Sequence, residues 1–323
     1  MRKFTQKTLR NLNMSFKCKV CGQEFETERK LHSHLKKHDL RVAAYYQKYY
    51  PRYDLHDGKI IKFKSKDYYF KTNFNTRTNQ LKWIDNLPQD EAENYLKEIL
   101  LKRKKEKDLK YSPCQVELRS LASPSVISFE KKFDNYYKLC ESLGFKNKYE
   151  KIQDIALATS HKDCKVYVDT REQLPLKFNL PTEVKGLKFG DYALSEKSLT
   201  CNCYIERKSL ADFISTISVS NYDRFCREIE RAAENDANLI IVIEDTLTNA
   251  LSFPFLPYIS KKIKVTPEFI FHKVRAMIQK YDHIQFLFVK GRKESVRVIE
   301  KIFFSKCIYK KIDLQLAYDK KIL

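Results

Sequence analysis

Two short runs of this 323-residue chain hold the side chains that metal-assisted hydrolysis of a phosphodiester needs: Gly190-Asp191-Tyr192, and Ile205-Glu206-Arg207-Lys208-Ser209-Leu210-Ala211-Asp212. Hard carboxylate oxygens from Asp191 and Glu206 suit magnesium or manganese, which polarises a scissile phosphate and offsets charge on the attacking and leaving oxygens. Lys208 adds a positive point charge that can orient the attacking water, lower its proton affinity or stabilise the pentacovalent state, and the sequence does not choose among these. The competing reading is bland, since E-R-K is common on solvated surfaces and G-D is a common turn.

The elements that must position these groups are strands. Residues 203–209 read as a strand, so Glu206 and Lys208 project from one face and Arg207 from the other. Residues 187–194 read as an earlier strand, and Glu196-Lys197-Ser198 are turn-like, so the two runs predict a hairpin with Asp191 opposite Glu206. An apolar strand, Lys165-Val166-Tyr167-Val168, ends in Asp169 and Glu172 and delivers more acid groups to the same edge.

Taken together, Val168-Asp169-Thr170-Arg171-Glu172, then Gly190-Asp191, then Glu206-Arg207-Lys208 with Asp212 fill the pattern V-D-x-R-E, G-D, E-R-K-x-x-x-D. This resembles the XPF-type nucleases over about residues 164–309 and implies the wider PD-(D/E)xK fold. The resemblance implies that Asp191 and Glu206 hold the catalytic magnesium or manganese, with Asp169 as a further ligand, and that Lys208 is catalytic. It implies that Glu172 completes the acidic cluster, and that Arg207 and Asp212 support the site or the substrate.

The surrounding sequence reads as α/β. Leu239–Ile243 and Ile284–Val289 are short buried strands between helical stretches. Tyr222–Glu234 sets Phe225, Ile229 and Ala232 on one helical face and Arg224, Arg227 and Arg231 elsewhere. Arg224 is taken as a DNA contact, against the default of a solvated face.

Near the amino terminus, Cys18 and Cys21 are followed after twelve residues by His34 and after three more by His38, which is tetrahedral zinc spacing. Phe16, Phe25 and Leu31 form the matching miniature core, and choosing His32 in place of His34 would throw Leu31 out of register. About 25 residues cannot bury enough surface to fold unaided, so zinc supplies the missing free energy. If the finger docks as its family does, Thr27, Lys30 and Ser33 face the bases, with Arg29 nearby. The alternative keeps the zinc and gives the finger to protein contact or scaffolding.

Charge points to a polyanion. The 62 Lys and Arg against 41 Asp and Glu give +21, and residues 1–150, with 33 basic and 19 acidic side chains, carry +14 of it. Basic residues alternate with aromatics at residues 45–53 and 64–71, as a phosphate-tracking, base-stacking surface would require, though the tyrosines serve equally as core. Lys102–Lys107 ends a helix beginning near Gln89, by default a solvated terminus and otherwise a DNA arm or import signal. Residues 129–145 resemble a small DNA-binding repeat of homing endonucleases, and the finger with residues 44–49 is similar to amino-terminal modules of nucleases carried by phages and mobile elements.

The expected fold class is a restriction-endonuclease-like α/β domain, a central mixed sheet flanked by helices, preceded by a small ββα zinc finger and a mainly helical basic region. The expected parts are a basic tail (1–15), finger (16–38), basic aromatic-rich region (39–110), helical DNA-binding repeat (111–150), linker (151–163), nuclease domain (164–311) and tail (312–323). No secretory signal or membrane-spanning run stands out, so the chain is expected to be intracellular. Nine cysteines, two of them zinc ligands, fit a reducing compartment better than a disulfide framework. Cys201, Cys203 and Cys164 offer a second metal set or, more simply, buried thiols.

The functional expectation is a DNA endonuclease using structural zinc and catalytic Mg2+ or Mn2+, directed by sequence on duplex DNA in the homing manner. It leaves a 5′-phosphate and a 3′-hydroxyl, and double-strand cleavage calls for a homodimer. The family's tandem helix-hairpin-helix domain is not expected in the few residues after Tyr309, which favours duplex over branched substrates. The rivals are a structure-specific repair nuclease on branched DNA and an inert zinc-finger regulator.

Overall fold

A computed structural model describes residues 16–52, 60–66, 69, 84–107, 109–121, 123–152, 164–195 and 202–323. The basic tail 1–15, most of the linker 151–163, the turn residues Glu196-Lys197-Ser198 and much of the basic aromatic segment beyond Arg52 lie outside the described residues. The chain forms two compact units, residues 1–86 and 87–323.

The first unit begins as a ββα finger. Strands β1 (Phe16–Lys17) and β2 (Glu24–Phe25) pair antiparallel with Phe16 opposite Phe25, and α1 spans Glu28–His34. Thr27 caps α1, its hydroxyl accepting from Lys30 N at 3.3 Å. The finger does not end at its ligands. Helix α2 (Val42–Tyr49) lays the buried Tyr45 and Tyr46 against Leu31 and Leu35. Lys19 N donates to the Tyr45 hydroxyl at 3.0 Å, and Tyr46 OH donates to Glu28 at 2.7 Å. These tyrosines are therefore core, because a finger this small gains apolar burial by recruiting the next helix.

The second unit is built on a six-stranded mixed sheet in the order β4-β3-β5-β6-β7-β8. Its strands are β3 (Val166–Val168), β4 (Thr182–Val184), β5 (Tyr192–Leu194), β6 (Cys203–Lys208), β7 (Asn238–Ile243) and β8 (Ile284–Phe288). Strand β5 runs antiparallel to β3 and β6, whereas β3–β4, β6–β7 and β7–β8 are parallel. The run Leu239–Ile243 is apolar throughout because both faces of β7 are covered.

Preceding the sheet are α3 (Gln89–Glu106), α4 (Gln115–Ser120), α5 (Val126–Phe133) and α6 (Tyr136–Ser142). Interspersed or following are α7 (Leu210–Ile217), α8 (Val219–Glu234), α9 (Leu247–Ala250), α10 (Pro267–Lys280), α11 (Gly291–Phe304) and α12 (Leu314–Asp319). One sheet face packs Ile205, Ile240, Val242 and Leu287 against Val298, Ile299 and Ile302 of α11 and Leu314 and Ala317 of α12. The other receives α7 and α10, where Phe213 meets Phe288 edge-on at 5.4 Å. No helix among the described residues is long and apolar enough to cross a membrane.

Two segments depart from the sequence-based partition. Residues 312–323 are not a tail: Leu314, Leu316, Ala317 and Leu323 are buried, because they close the sheet face that α11 leaves open. Residues 111–150 do not stand apart either. Tyr111 N donates to Gln279 of α10 at 2.9 Å, Gln279 donates to the buried Glu117 at 3.0 Å, and Gln115 N donates to Asp313 at 2.7 Å. Helices of six to eight residues cannot close a core alone, so α4–α6 share the one built around the sheet. Seven described cysteines form no disulfide, Cys164 and Cys203 being buried thiols, and Cys307 is disulfide-bonded. Cys201 lies outside the described residues.

Candidate active site

The hairpin β5–β6 is set by one close approach. Gly190 has φ +61°, and a Cβ there would sit 2.6 Å from the Ile205 carbonyl oxygen, so only glycine lets the chain lie this near β6. Asp191 N then donates to Ile205 O at 2.7 Å, and Tyr192 pairs with Ile205, which leaves Asp191 facing Glu206 as the sequence predicted. Alternation along β6 turns Glu206 and Lys208 toward the α7–α8 side and Ile205 and Arg207 toward the α11 side.

The Asp191 carboxylate is pinned by Arg207 N, which donates to Oδ2 at 2.7 Å. Burial, and then the neighbouring Glu206 charge, push its carboxyl up to about 7. Lys208 Nζ donates to Glu206 Oε1 at 2.7 Å, with both side chains largely buried, and lies 5.4 Å from the Phe225 ring of α8. Asp191 Oδ1 and Glu206 Oε2 remain without a donor among the described residues. Two half-buried carboxylates that repel each other, each with an oxygen to spare, fit a hard divalent cation.

The other predicted catalytic residues are occupied differently. Asp169 Oδ1 accepts from Arg171 N and Nε at 2.9 and 2.6 Å, and Oδ2 from Leu187 N at 2.7 Å, so this buried carboxylate ties the end of β3 to the loop before Asp191. Burial raises its carboxyl, but Arg171 and the Leu187 N–H outweigh that and hold it below the ordinary range. Glu172 accepts two-pronged donation from Arg207 and a 3.1 Å bond from the Tyr192 hydroxyl. Arg207 also donates to Glu244 at 3.0 Å, forming a buried acid–base–acid triad on the face away from Glu206. Asp212 is exposed and closes a reciprocal cap on α7 with Ser209. Arg224 is exposed on α8. The geometry thus gathers Asp191, Glu206 and Lys208, and commits Asp169, Glu172, Arg207 and Asp212 to holding the strands and helix that carry them.

Sequence reasoning missed Glu244 and Glu228. Glu244 directly follows the apolar run of β7, the same strand-end signal that drew notice to Asp169. Glu228 lies beside the apolar stripe of α8, where burial and the Glu206 charge raise its carboxyl above the ordinary value.

In the first unit, Cys18, Cys21, His34 and His38 bring one ligand atom each within 4.8 Å of one another, the one such group of three or more among the described residues. Cys21 Sγ lies 3.2 Å and His38 Nε2 3.0 Å from His34 Nε2, spacings that a zinc ion with bonds of about 2.0–2.3 Å accommodates. His32 instead bonds the Tyr46 hydroxyl at 2.9 Å, which agrees with its exclusion as a ligand. Thr27, Arg29, Lys30 and Ser33 line one hollow together with Gln23, Phe25 and Lys37. Within it the Thr27 hydroxyl is spent on capping, and Lys30 pairs with Glu26 at 2.5 Å.

A mixed sheet with helices on both faces, and two carboxylates and a lysine at the end of a central hairpin, define a restriction-endonuclease-like nuclease domain. Residues 168–302 match the ERCC4 domain, the domain of XPF-type nucleases. Two similar solved structures are XPF from Aeropyrum pernix, at 20% identity and TM-score 0.33 over 43% of this chain, and the same protein in complex with DNA, at 20% identity and TM-score 0.33 over 49% of this chain. The chain spans 64% and 66% of the length of those two. No curated protein matches it significantly.

Proposed function

We propose that this protein is a metal-dependent DNA endonuclease that cuts duplex DNA at places chosen by its finger unit, in the homing manner. The observation that carries the reading is Asp191 facing Glu206 across β5 and β6, with Lys208 on the same face. Magnesium or manganese held between the two carboxylates would polarise the scissile phosphate and offset charge on the attacking and leaving oxygens. The chain's own residues do the rest. Arg207 N fixes the Asp191 carboxylate, Glu206 fixes the Lys208 ammonium, and that ammonium supplies positive charge beside the phosphate. A zinc-held finger presenting Arg29, Lys30, Ser33 and Lys37 in one hollow supports contact with duplex DNA.

The test is cleavage by the purified zinc-loaded chain of a random linear duplex library and a matched set of forks, flaps and junctions, with magnesium or manganese, followed by end sequencing. Discrete duplex cuts leaving 5′-phosphates are expected, and strand counting separates nicking by one chain from double-strand cutting by a pair. Cuts confined to branch points would overturn the duplex assignment. Cleavage that survives D191N, E206Q and K208A alike would remove the site itself.

A further inference from the structure

The row of side chains next to Asp191 and Glu206 on their own sheet face is aromatic. Alternation along β5 and β6 puts Ala193 beyond Asp191 and Tyr204 beyond Glu206, each two residues and about 7 Å along its strand. The register sets Ala193 between Tyr204 of β6 and Tyr167 of β3. All three side chains therefore share the face that carries Glu206 and Lys208, and the Ala193 methyl group forms a floor between two rings.

A cavity of about 430 Å³ opens there, lined by Tyr167, Ala193 and Tyr204 together with Phe189, Lys185 and Lys188, and none of its described lining residues is acidic. Phe189 meets Tyr204 edge-on at 5.5 Å, and Lys185 Nζ stands 4.5 Å from the centre of the Tyr167 ring, so both rings are braced. Two strand spacings set the roots of the rings about 9.5 Å apart, and contact on both faces of one planar group takes about 7–8 Å. The slot thus admits a single flat ring. Aromatic walls with lysines at the rim suit an unpaired nucleotide, whose base stacks while its phosphate meets the ammonium groups. A base inside a duplex is already stacked on both faces, so only one drawn out of the helix can enter.

We propose that this slot takes one unpaired base of the DNA strand being cut, from a nucleotide next to the scissile phosphate, with Tyr167 and Tyr204 on its two faces and Lys185 and Lys188 at its phosphate. The inference rests on the nuclease reading and deepens it, since the strand is then cut with a base drawn out of the stack. A phosphate held at Asp191 and Glu206 has its neighbouring nucleotide over the next row of the same face, which is Ala193 and Tyr204. Stacking between the two rings offsets the cost of extruding the base, and that cost is least at a mismatch.

The experiment is photocrosslinking of the zinc-loaded full chain, without magnesium or manganese, to a short single-stranded thymidine oligonucleotide carrying one 5-iododeoxyuridine. Crosslinks are mapped by mass spectrometry, and affinities are measured for the same oligonucleotide and for an abasic one of equal length. Wild type is expected to crosslink at Tyr167 or Tyr204 and to bind the abasic strand about tenfold more weakly. Y167A is expected to lose about tenfold in affinity for thymidine and to bind both strands alike, with Y167L read in its place if Y167A melts early. Crosslinks elsewhere in the chain, or none, overturn the slot, and equal binding of both strands by wild type assigns this face to phosphate contact alone. Either result leaves the nuclease reading to its own test, cleavage by D191N and E206Q. If cleavage survives both of those changes the centre is lost, and the inference falls with it.

Discussion

Residue chemistry at the centre turns on like charges held close. Asp191, with an ordinary value of about 3.9, is pushed up to about 7 by burial and by Glu206. Because the folded value lies above the unfolded one, the neutral carboxyl contributes stability that is complete below about pH 4 and lost as pH rises through about 7. Zinc-loaded protein without magnesium or manganese should therefore lose melting temperature across that window, and D191N should lose less; parallel slopes would refute the strain. Arg207 belongs to a different account. Its guanidinium is 13% exposed between Glu172 at 6% and Glu244 at 12%. R207A leaves two buried carboxylates without the cation between them, at a cost of about 3–5 kcal/mol in urea unfolding, whereas E206Q should leave the midpoint near wild type. A wild-type midpoint for R207A would mean the triad ties nothing together.

At the level of elements, the hairpin and the finger each do their positioning locally. Gly190 lets β5 approach β6, and the antiparallel register then turns Asp191 toward Glu206. The finger holds α1 through its ligands and passes that order to α2 through Tyr45 and Tyr46. Chelation of zinc is accordingly expected to abolish amide protection in α1 and α2 together, since Tyr45 and Tyr46 lose the surface they cover. Hydrogen exchange followed by mass spectrometry reads this, and protection persisting in α2 would show that the helix stands without the finger. The same elements explain what the sequence left open. The end of β3 told where Asp169 and Glu172 sit, but not that Leu187, 18 residues on, and Arg207, 35 residues on, would take up their oxygens.

For the molecule as a whole, the six-stranded sheet depends on segments at both ends of its unit. Removing residues 312–323 strips Leu314, Leu316, Ala317 and Leu323 from the core. At about 2–5 kcal/mol for each of the three leucines lost, this is as large as the about 5–15 kcal/mol by which a domain is stable. The truncated chain is expected to lose its near-ultraviolet circular dichroism, and a native spectrum with an unchanged melt would show that α12 is dispensable. The sequence by itself determined what is encoded within a few residues: the Cys18, Cys21, His34 and His38 set at its spacing, the two faces of β6, the hairpin opposing Asp191 to Glu206, and the α/β alternation. Hydrophobic period and ligand spacing are local quantities and survive without coordinates. Only the tertiary structure decided that Glu117 would meet Gln279, 162 residues away, so that 111–150 became part of the unit built on the six-stranded sheet, and that Phe225 would lie beside the Lys208 ammonium from another element. Which donor reaches which buried acid is settled by packing among distant segments, and no local pattern records it.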